Sequence, residues 1–209
     1  MKYSTRIIPL VVMVLFGSVH LAKAQNASVY FGLGTAIDSS TGKSIDTFDT
    51  GNPLATPRMG GLFESFGGDV MLKPNLGVDF NLALRSQTNY AGLNYRPMFY
   101  DFNAIYTPLP SNGTIVPELQ AGLGGVNMRF YLNQNSCDAF GGCQGSNLYV
   151  ESSNHFQVHL GGGVNFYVKG GIFIRPQIDV HWVNNFFQFG SNWVPEYSAA
   201  IGYTFGRSH

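Results

Sequence analysis

Alternation with a period of two constrains this chain more than any other feature. In residues 156–168, Phe156, Val158, Leu160, Val164, Phe166 and Val168 share one face, while Gln157, His159, Gly161, Gly163 and Asn165 share the other. The next segment repeats the pattern, with Ile172, Ile174, Ile178, Val180 and Trp182 opposing Arg175, Gln177, Asp179 and His181. Successive side chains of a strand point to opposite sides, so each segment reads as a strand with one apolar and one polar face. Val78, Phe80, Leu82 and Leu84 oppose Asp79, Asn81 and Arg85, and Met98, Tyr100, Phe102 and Tyr106 oppose Asp101 and Asn103. Four weaker segments follow the same rule: 29–37, 66–72 with Asp69 on the polar face, 119–123 beside Glu118 and Gln120, and 197–205 beside Glu196. The sequence therefore predicts an all-β fold of about eight strands, an even number as a closed up-and-down antiparallel barrel requires.

The first residues stand outside this pattern. Lys2 and Arg6 precede an apolar run over 7–16, and Ala22-Lys23-Ala24 offers a small-x-small cleavage site before Gln25. That layout is a secretory signal peptide over 1–24, followed by one domain over 25–209. The apolar run is too short for a membrane helix, which needs roughly 20 residues. No Cys follows the cleavage site, so a lipid anchor is not expected.

Composition decides what surrounds the strands. Charged residues make up 11% of the chain, against roughly 25% in ordinary globular proteins. Aromatics reach 14%, and no long apolar run follows residue 24. An exterior this poor in charge suits lipid, and without apolar helices only a closed barrel satisfies its backbone there. The expected connections alternate in length. Segments 38–60, 87–96, 131–152 and 185–194 are long, Lys73-Pro74-Asn75 and Lys169-Gly170 are tight, and 108–114 is intermediate. Long loops on one side and short turns on the other fit a bacterial outer-membrane barrel with its termini in the periplasm. A soluble periplasmic calycin-like barrel would alternate too. Its outer face would carry lysines, whereas here the polar face mixes glycines with Asp, Glu, Arg and His, as a narrow lumen does. The net charge of zero argues against a nucleic-acid partner.

On these features the chain resembles the small outer-membrane β-barrel family of OmpA-type barrel domains, OmpX and opacity-type proteins. The ending Tyr197-Ser-Ala-Ala-Ile201-Gly-Tyr203-Thr-Phe205 is similar to the aromatic-terminated last strand of that family. The resemblance implies that Tyr197, Ile201, Tyr203 and Phe205 act as the assembly signal read by the barrel-assembly machinery, with outer-membrane lipid as the surrounding partner. Four residues follow Phe205, a departure from the family pattern, and the peptidoglycan-binding role of longer OmpA-type proteins is not expected.

The candidate functional residues lie on the polar faces. Asp69, Asp79, Arg85, Asp101, Glu118, His159, Arg175, Asp179, His181 and Glu196 are expected to form a polar network filling the lumen, since eight strands leave an interior just wide enough for side chains. A symmetric hairpin about Leu93 would place Leu84 opposite Phe102 and pair Arg85 with Asp101. His181, Glu196 and Ser191 could form a rim hydrolase, but parity turns the histidines inward, so no catalytic set is expected. No cofactor or metal site is expected. Gly122-Leu-Gly-Gly125 and Gly161-Gly-Gly163 lack the following helix that phosphate binding needs. Cys137 and Cys143 bracket a Gly-rich loop and, in an exported protein, read as a disulfide. Pro176 inside a regular strand predicts a bulge, and Glu64, on the apolar parity, must lie above the hydrocarbon zone. The expected role is structural, or binding of an extracellular ligand by the loops. A lipid-modifying or hydrolytic enzyme and a narrow pore are the alternatives.

Overall fold

Eight long strands close into a ring in the computed structural model, which describes residues 26–38, 43–46, 50–90, 93–109, 113–137, 143–186 and 189–207. The expected signal peptide and its cleavage site lie outside these residues. In chain order the strands are β1 (Asn26–Ala36), β2 (Ser44–Ile45), β3 (Leu54–Ala55), β4 (Phe63–Lys73), β5 (Leu76–Arg85), β6 (Thr88–Tyr90), β7 (Leu93–Tyr106), β8 (Ile115–Cys137), β9 (Cys143–Lys169), β10 (Ile172–Val183) and β11 (Trp193–Phe205). The sheet runs β5-β4-β1-β11-β10-β9-β8-β7, and β5 pairs back onto β7 to close it. Every pairing is antiparallel, and β1 meets β11 from Ala27↔Phe205 to Ala36↔Glu196. Closure leaves no free edge and satisfies the backbone within the sheet. The two remaining short pairings are a β2–β3 hairpin and β6, which continues β5 past residues 86–87 and pairs with β7.

Alternation along each strand sorts the side chains. Val29, Phe31, Leu33, Val78, Phe80, Leu119, Leu123, Leu160, Ile174, Ile178 and Ile201 all face outward and are exposed, Phe102 by 66% and Val168 by 69%. A continuous apolar exterior of this kind is stable in lipid and adhesive in water. The short connections at 74–75 and 170–171 and both described ends of the chain lie at one rim, and the long connections lie at the other. Glu64 is the second residue of β4, laddered to Leu33 and Leu84 near the long-loop rim, where its exposed carboxylate leaves the hydrocarbon.

Three local expectations are corrected. The hairpin is not centred on Leu93: Thr88↔Tyr95 and Tyr90↔Leu93 centre the pairing between Tyr90 and Leu93, and β5 meets β7 as Leu84↔Met98 and Phe80↔Phe102. Most of the predicted loop 87–96 is thus paired strand, and the register moves by four residues. The predicted loop 131–152 is largely a ladder as well, running to Cys137↔Cys143 with one irregularity at Phe130/Tyr131. Pro176 causes no bulge. It pairs with Ala199 on β11, while toward β9 the ladder skips Arg175 and Pro176 and resumes at Gln177↔Gly163 in the same register. The register shift on that side lies instead at Ile172/Phe173.

Candidate functional site: the interior column

The inward residues of the eight strands form a column with distinct levels. At the short-turn rim Thr204 Oγ1 meets Ser28 Oγ at 3.0 Å and the Tyr167 hydroxyl at 2.9 Å. Arg207 lies over the Tyr167 ring, 3.2 Å from its centroid, and donates to the Gly113 carbonyl.

The next level is organised by Arg175, which is fully buried. Its Nε donates to Asn165 Oδ1 at 2.6 Å and its Nη2 to Asp69 Oδ2 at 3.1 Å. Its Nη1 stands 3.3 Å from Glu118 Oε1, a charge contact without hydrogen-bond alignment. The guanidinium lies 4.5 Å from the Tyr30 ring centroid and 5.1 Å from that of Phe173. Glu118 is further held by Gln120 Nε2 at 2.7 Å and Asn165 Nδ2 at 3.1 Å. Such a site suits arginine, whose planar fork serves two carboxylates while its faces stack on rings.

Tyr30 links this level to the one above by donating to Asp79 Oδ1 at 2.9 Å. Asn103 then bridges Asp79 and Asp101 through its Nδ2. His159 Nδ1 sits 2.7 Å from Asn103 Oδ1, and its Nε2 sits 2.9 Å from Asp179 Oδ1. Gln177 Nε2 donates to both oxygens of Asp179. His159 and His181 stack, with centroids 4.9 Å apart and planes at 19°. His181 Nε2 approaches Glu196 Oε2 to 3.3 Å. Gly161 is what lets Asp179 reach His159: a Cβ there would overlap the Asp179 carboxylate.

Above the histidines the lumen becomes apolar. Phe99 packs on His181, and Phe63, Tyr95, Val126, Met128, Val183 and Val194 line the wall. Met59, Phe186 and Phe189 enter from the connecting segments, the last two stacked at 4.4 Å, and all three are fully buried. Arg85 fastens this cork, donating from Nη1 to the carbonyls of Arg58 and Met59 at 2.9 and 3.0 Å and from Nη2 to Thr88 Oγ1. The Tyr95 hydroxyl also donates to the Arg58 carbonyl. Gly61, at φ 135°, turns the segment out again against the Arg85 side chain.

All ten residues predicted to fill the lumen are buried. Asp69, Glu118, Arg175, Asp79, Asp101, His159, Asp179, His181 and Glu196 belong to the connected levels just described, and Arg85 stands apart at the cork. The expected Arg85–Asp101 pair is overturned by the register: Asp101 lies opposite Asn81 and beside His159 at 3.4 Å. The Ser191 hydroxyl is held at the backbone of Trp193. Among the described residues no group of three His, Cys, Asp or Glu side chains is placed to hold a metal. Tyr197, Ile201, Tyr203 and Phe205 face outward along β11. Cys137 and Cys143 are ladder partners at the tip of the β8–β9 arm, their side chains lying outside the described set. The cork was missed by sequence reasoning. Its signal was the unbroken apolar run Pro97-Met98-Phe99-Tyr100, where both faces of one strand are apolar.

No family model and no curated protein sequence matches the chain. Solved structures do match in fold. The attachment invasion locus protein Ail of Yersinia pestis, in complex with a heparin analogue, is 13% identical with TM-score 0.52, covering 86% of this chain and 98% of that one. Neisserial surface protein A is 13% identical with TM-score 0.52, covering 85% and 95%. A major outer membrane protein from Thermus thermophilus is 12% identical with TM-score 0.54, covering 86% and 99%. With its closed ring of eight strands, apolar exterior and filled interior, the chain is by fold a small bacterial outer-membrane β-barrel.

Proposed function

We propose that this protein is a closed barrel that mounts a binding surface on the outside of the cell, and that it acts neither as a pore nor as an enzyme. The observation that carries this reading is the sealed lumen. Arg175 and His159 block the middle at 0% exposure, and the Met59, Phe186 and Phe189 cork fills the outer mouth. A solute would have to displace both a charge-paired network and an apolar plug. Chemistry at the imidazole–carboxylate levels would need a substrate beside side chains that are almost wholly enclosed.

The outer end offers the complementary feature. β8 and β9 stay paired beyond Leu93↔Leu132, the last rung that β8 shares with β7, and rise as a two-stranded arm. Leu148, Tyr149 and Val150, at the base of this arm, are at least half exposed. An arm on a rigid ring is a scaffolded loop of the kind that carries recognition. Under this reading residues 1–24 serve export, Tyr197, Ile201, Tyr203 and Phe205 guide insertion by the assembly machinery, and a Cys137–Cys143 disulfide locks the arm tip. Planar-bilayer recording of the purified barrel tests the sealed lumen: no steady conductance is expected, and stable ion-conducting steps would overturn the reading. Lipid A mass spectra from cells with and without the protein test the enzyme alternative, with no new species expected.

A further inference from the structure

Arg96 and Arg129 are direct cross-strand partners on β7 and β8, and both side chains are exposed. Their parity is that of Met98, Tyr100 and Phe102 on β7 and of Leu119 and Leu123 on β8, so both point to the lipid side of the wall. Like charges directly opposite each other destabilise a sheet, with Cα atoms about 4.5–5.5 Å apart. Among the described residues neither arginine forms an ion pair with an acidic side chain; Arg129 donates only its Nε, to Asn127 Oδ1 at 3.0 Å. Of the seven other cations among the described residues, Lys43 lies in the long connection beside β2, and the remaining six are committed to different places. Arg85 and Arg175 are interior, Lys73, Lys169 and Arg207 lie at the short-turn end, and Arg58 belongs to the cork segment.

The surroundings of the pair are graded along the wall. Beside it are Ser152, Asn127 and Asn154, the last two joined at 2.7 Å. Toward the periplasm the same wall turns apolar, through Tyr100 and the exposed Phe156 to Phe102 and Leu123. From Arg96 to Phe102 is six residues, about 20 Å along the strand. A headgroup-sized anion at the arginines would therefore continue into acyl chains lying on an aromatic surface.

We propose that Arg96 and Arg129 form a phosphate-binding site for an anionic phospholipid or phosphoglycolipid of the outer leaflet. A phosphate placed between two guanidiniums accepts charge-assisted, bidentate hydrogen bonds from both and cancels their mutual repulsion. The apolar wall below the pair selects a membrane lipid over a soluble phosphate. The site is independent of whatever the loops bind.

The test uses the intact barrel in detergent, titrated with bisphosphorylated lipid A and with the same lipid after removal of its phosphates, and read by native mass spectrometry. Inositol hexakisphosphate serves as a soluble competitor. The wild type should retain the phosphorylated lipid preferentially. Arg96→Gln with Arg129→Gln should weaken that retention about a hundredfold, roughly tenfold for the charge-assisted bonding of each guanidinium removed. Lys73→Gln with Lys169→Gln, at the opposite rim, should leave it unchanged. Arg96→Lys with Arg129→Lys, which keeps the charge should the Gln pair fail to fold, should fall between the two. A second readout has a sign that a merely structural role would not give. Single Arg96→Gln should raise the unfolding midpoint in lipid-free detergent, by relieving repulsion, and lower it when the phosphorylated lipid is present. Equal retention of both lipids, an unchanged Gln double variant, or displacement by inositol hexakisphosphate at concentrations equal to the lipid would each overturn the proposal.

Discussion

Arg175→Met is the substitution whose cost can be worked most fully from the geometry. Methionine retains much of the alkyl stem and its packing against Tyr30 and Phe173, so the change isolates the guanidinium. Two carboxylates lose their cation, Asp69 at 3.1 Å and Glu118 at 3.3 Å, and Asn165 Oδ1 loses the donor at 2.6 Å. Both acids are at least 96% buried, so water cannot take the cation's place without opening the lumen. Removing one partner of a buried pair costs about 3–5 kcal/mol because the other charge is stranded. Asn165 adds about 1 kcal/mol for the unmet acceptor. The expected loss is thus about 4–6 kcal/mol, a large share of a domain's net stability. Reversible urea unfolding in lipid vesicles, followed by tryptophan fluorescence, would read it as a lowered midpoint at constant slope. Arg175→Met with Asp69→Asn and Glu118→Gln should recover most of the loss, since no charge is then stranded. A loss under about 1 kcal/mol for the single variant, or no recovery in the triple variant, would refute the stranded-charge reasoning.

Two further predictions follow from the corrected register and from the arm. A double-mutant cycle on Asp101 and His159 should show a coupling of about 0.5–3 kcal/mol, whereas the same cycle on Arg85 and Asp101 should be additive within about 0.5 kcal/mol; the reverse outcome would restore the pairing expected from sequence. Non-reducing peptide mapping should recover Cys137 linked to Cys143, as their shared rung allows, and free thiols in freshly prepared protein would count against it.

The alternating segments were legible because lipid outside and charge inside impose the sharpest contrast a strand can carry. In β10 every second residue from Phe173 to Val183 is buried, and the polar set Arg175, Gln177, Asp179 and His181 could be assigned inward from the sequence alone. Contrast failed in β7, where Tyr95, Pro97 and Phe99 face inward while Met98 and Tyr100 face out. Apolar residues on both faces erase the period, so the only sign of an apolar outer lumen was the run Pro97-Met98-Phe99-Tyr100 itself. The cork was also hidden because Met59 reaches the lumen through a non-local contact with Arg85. Register failed for a different reason. A hairpin's register is set by its turn, and Asn89 and Asn94, taken as loop residues, are instead ladder partners. The Arg85 partner followed that error directly.

Spin labels along β10 test at once whether the barrel's outside is lipid and whether its inside is full. In a background with Cys137 and Cys143 replaced by Ser, single labels at Ile174, Ile178 and Val180 test the outward face, and labels at Phe173 and Gln177 test the inward one. In reconstituted vesicles the outward labels should collide with oxygen and not with a water-soluble nickel chelate, because oxygen concentrates in hydrocarbon. The inward labels should be inaccessible to both reagents, as packed interiors are. Nickel access at Ile174 and Ile178 would mean a water-facing exterior, and nickel access at Gln177 would mean an open lumen; either result would contradict the account.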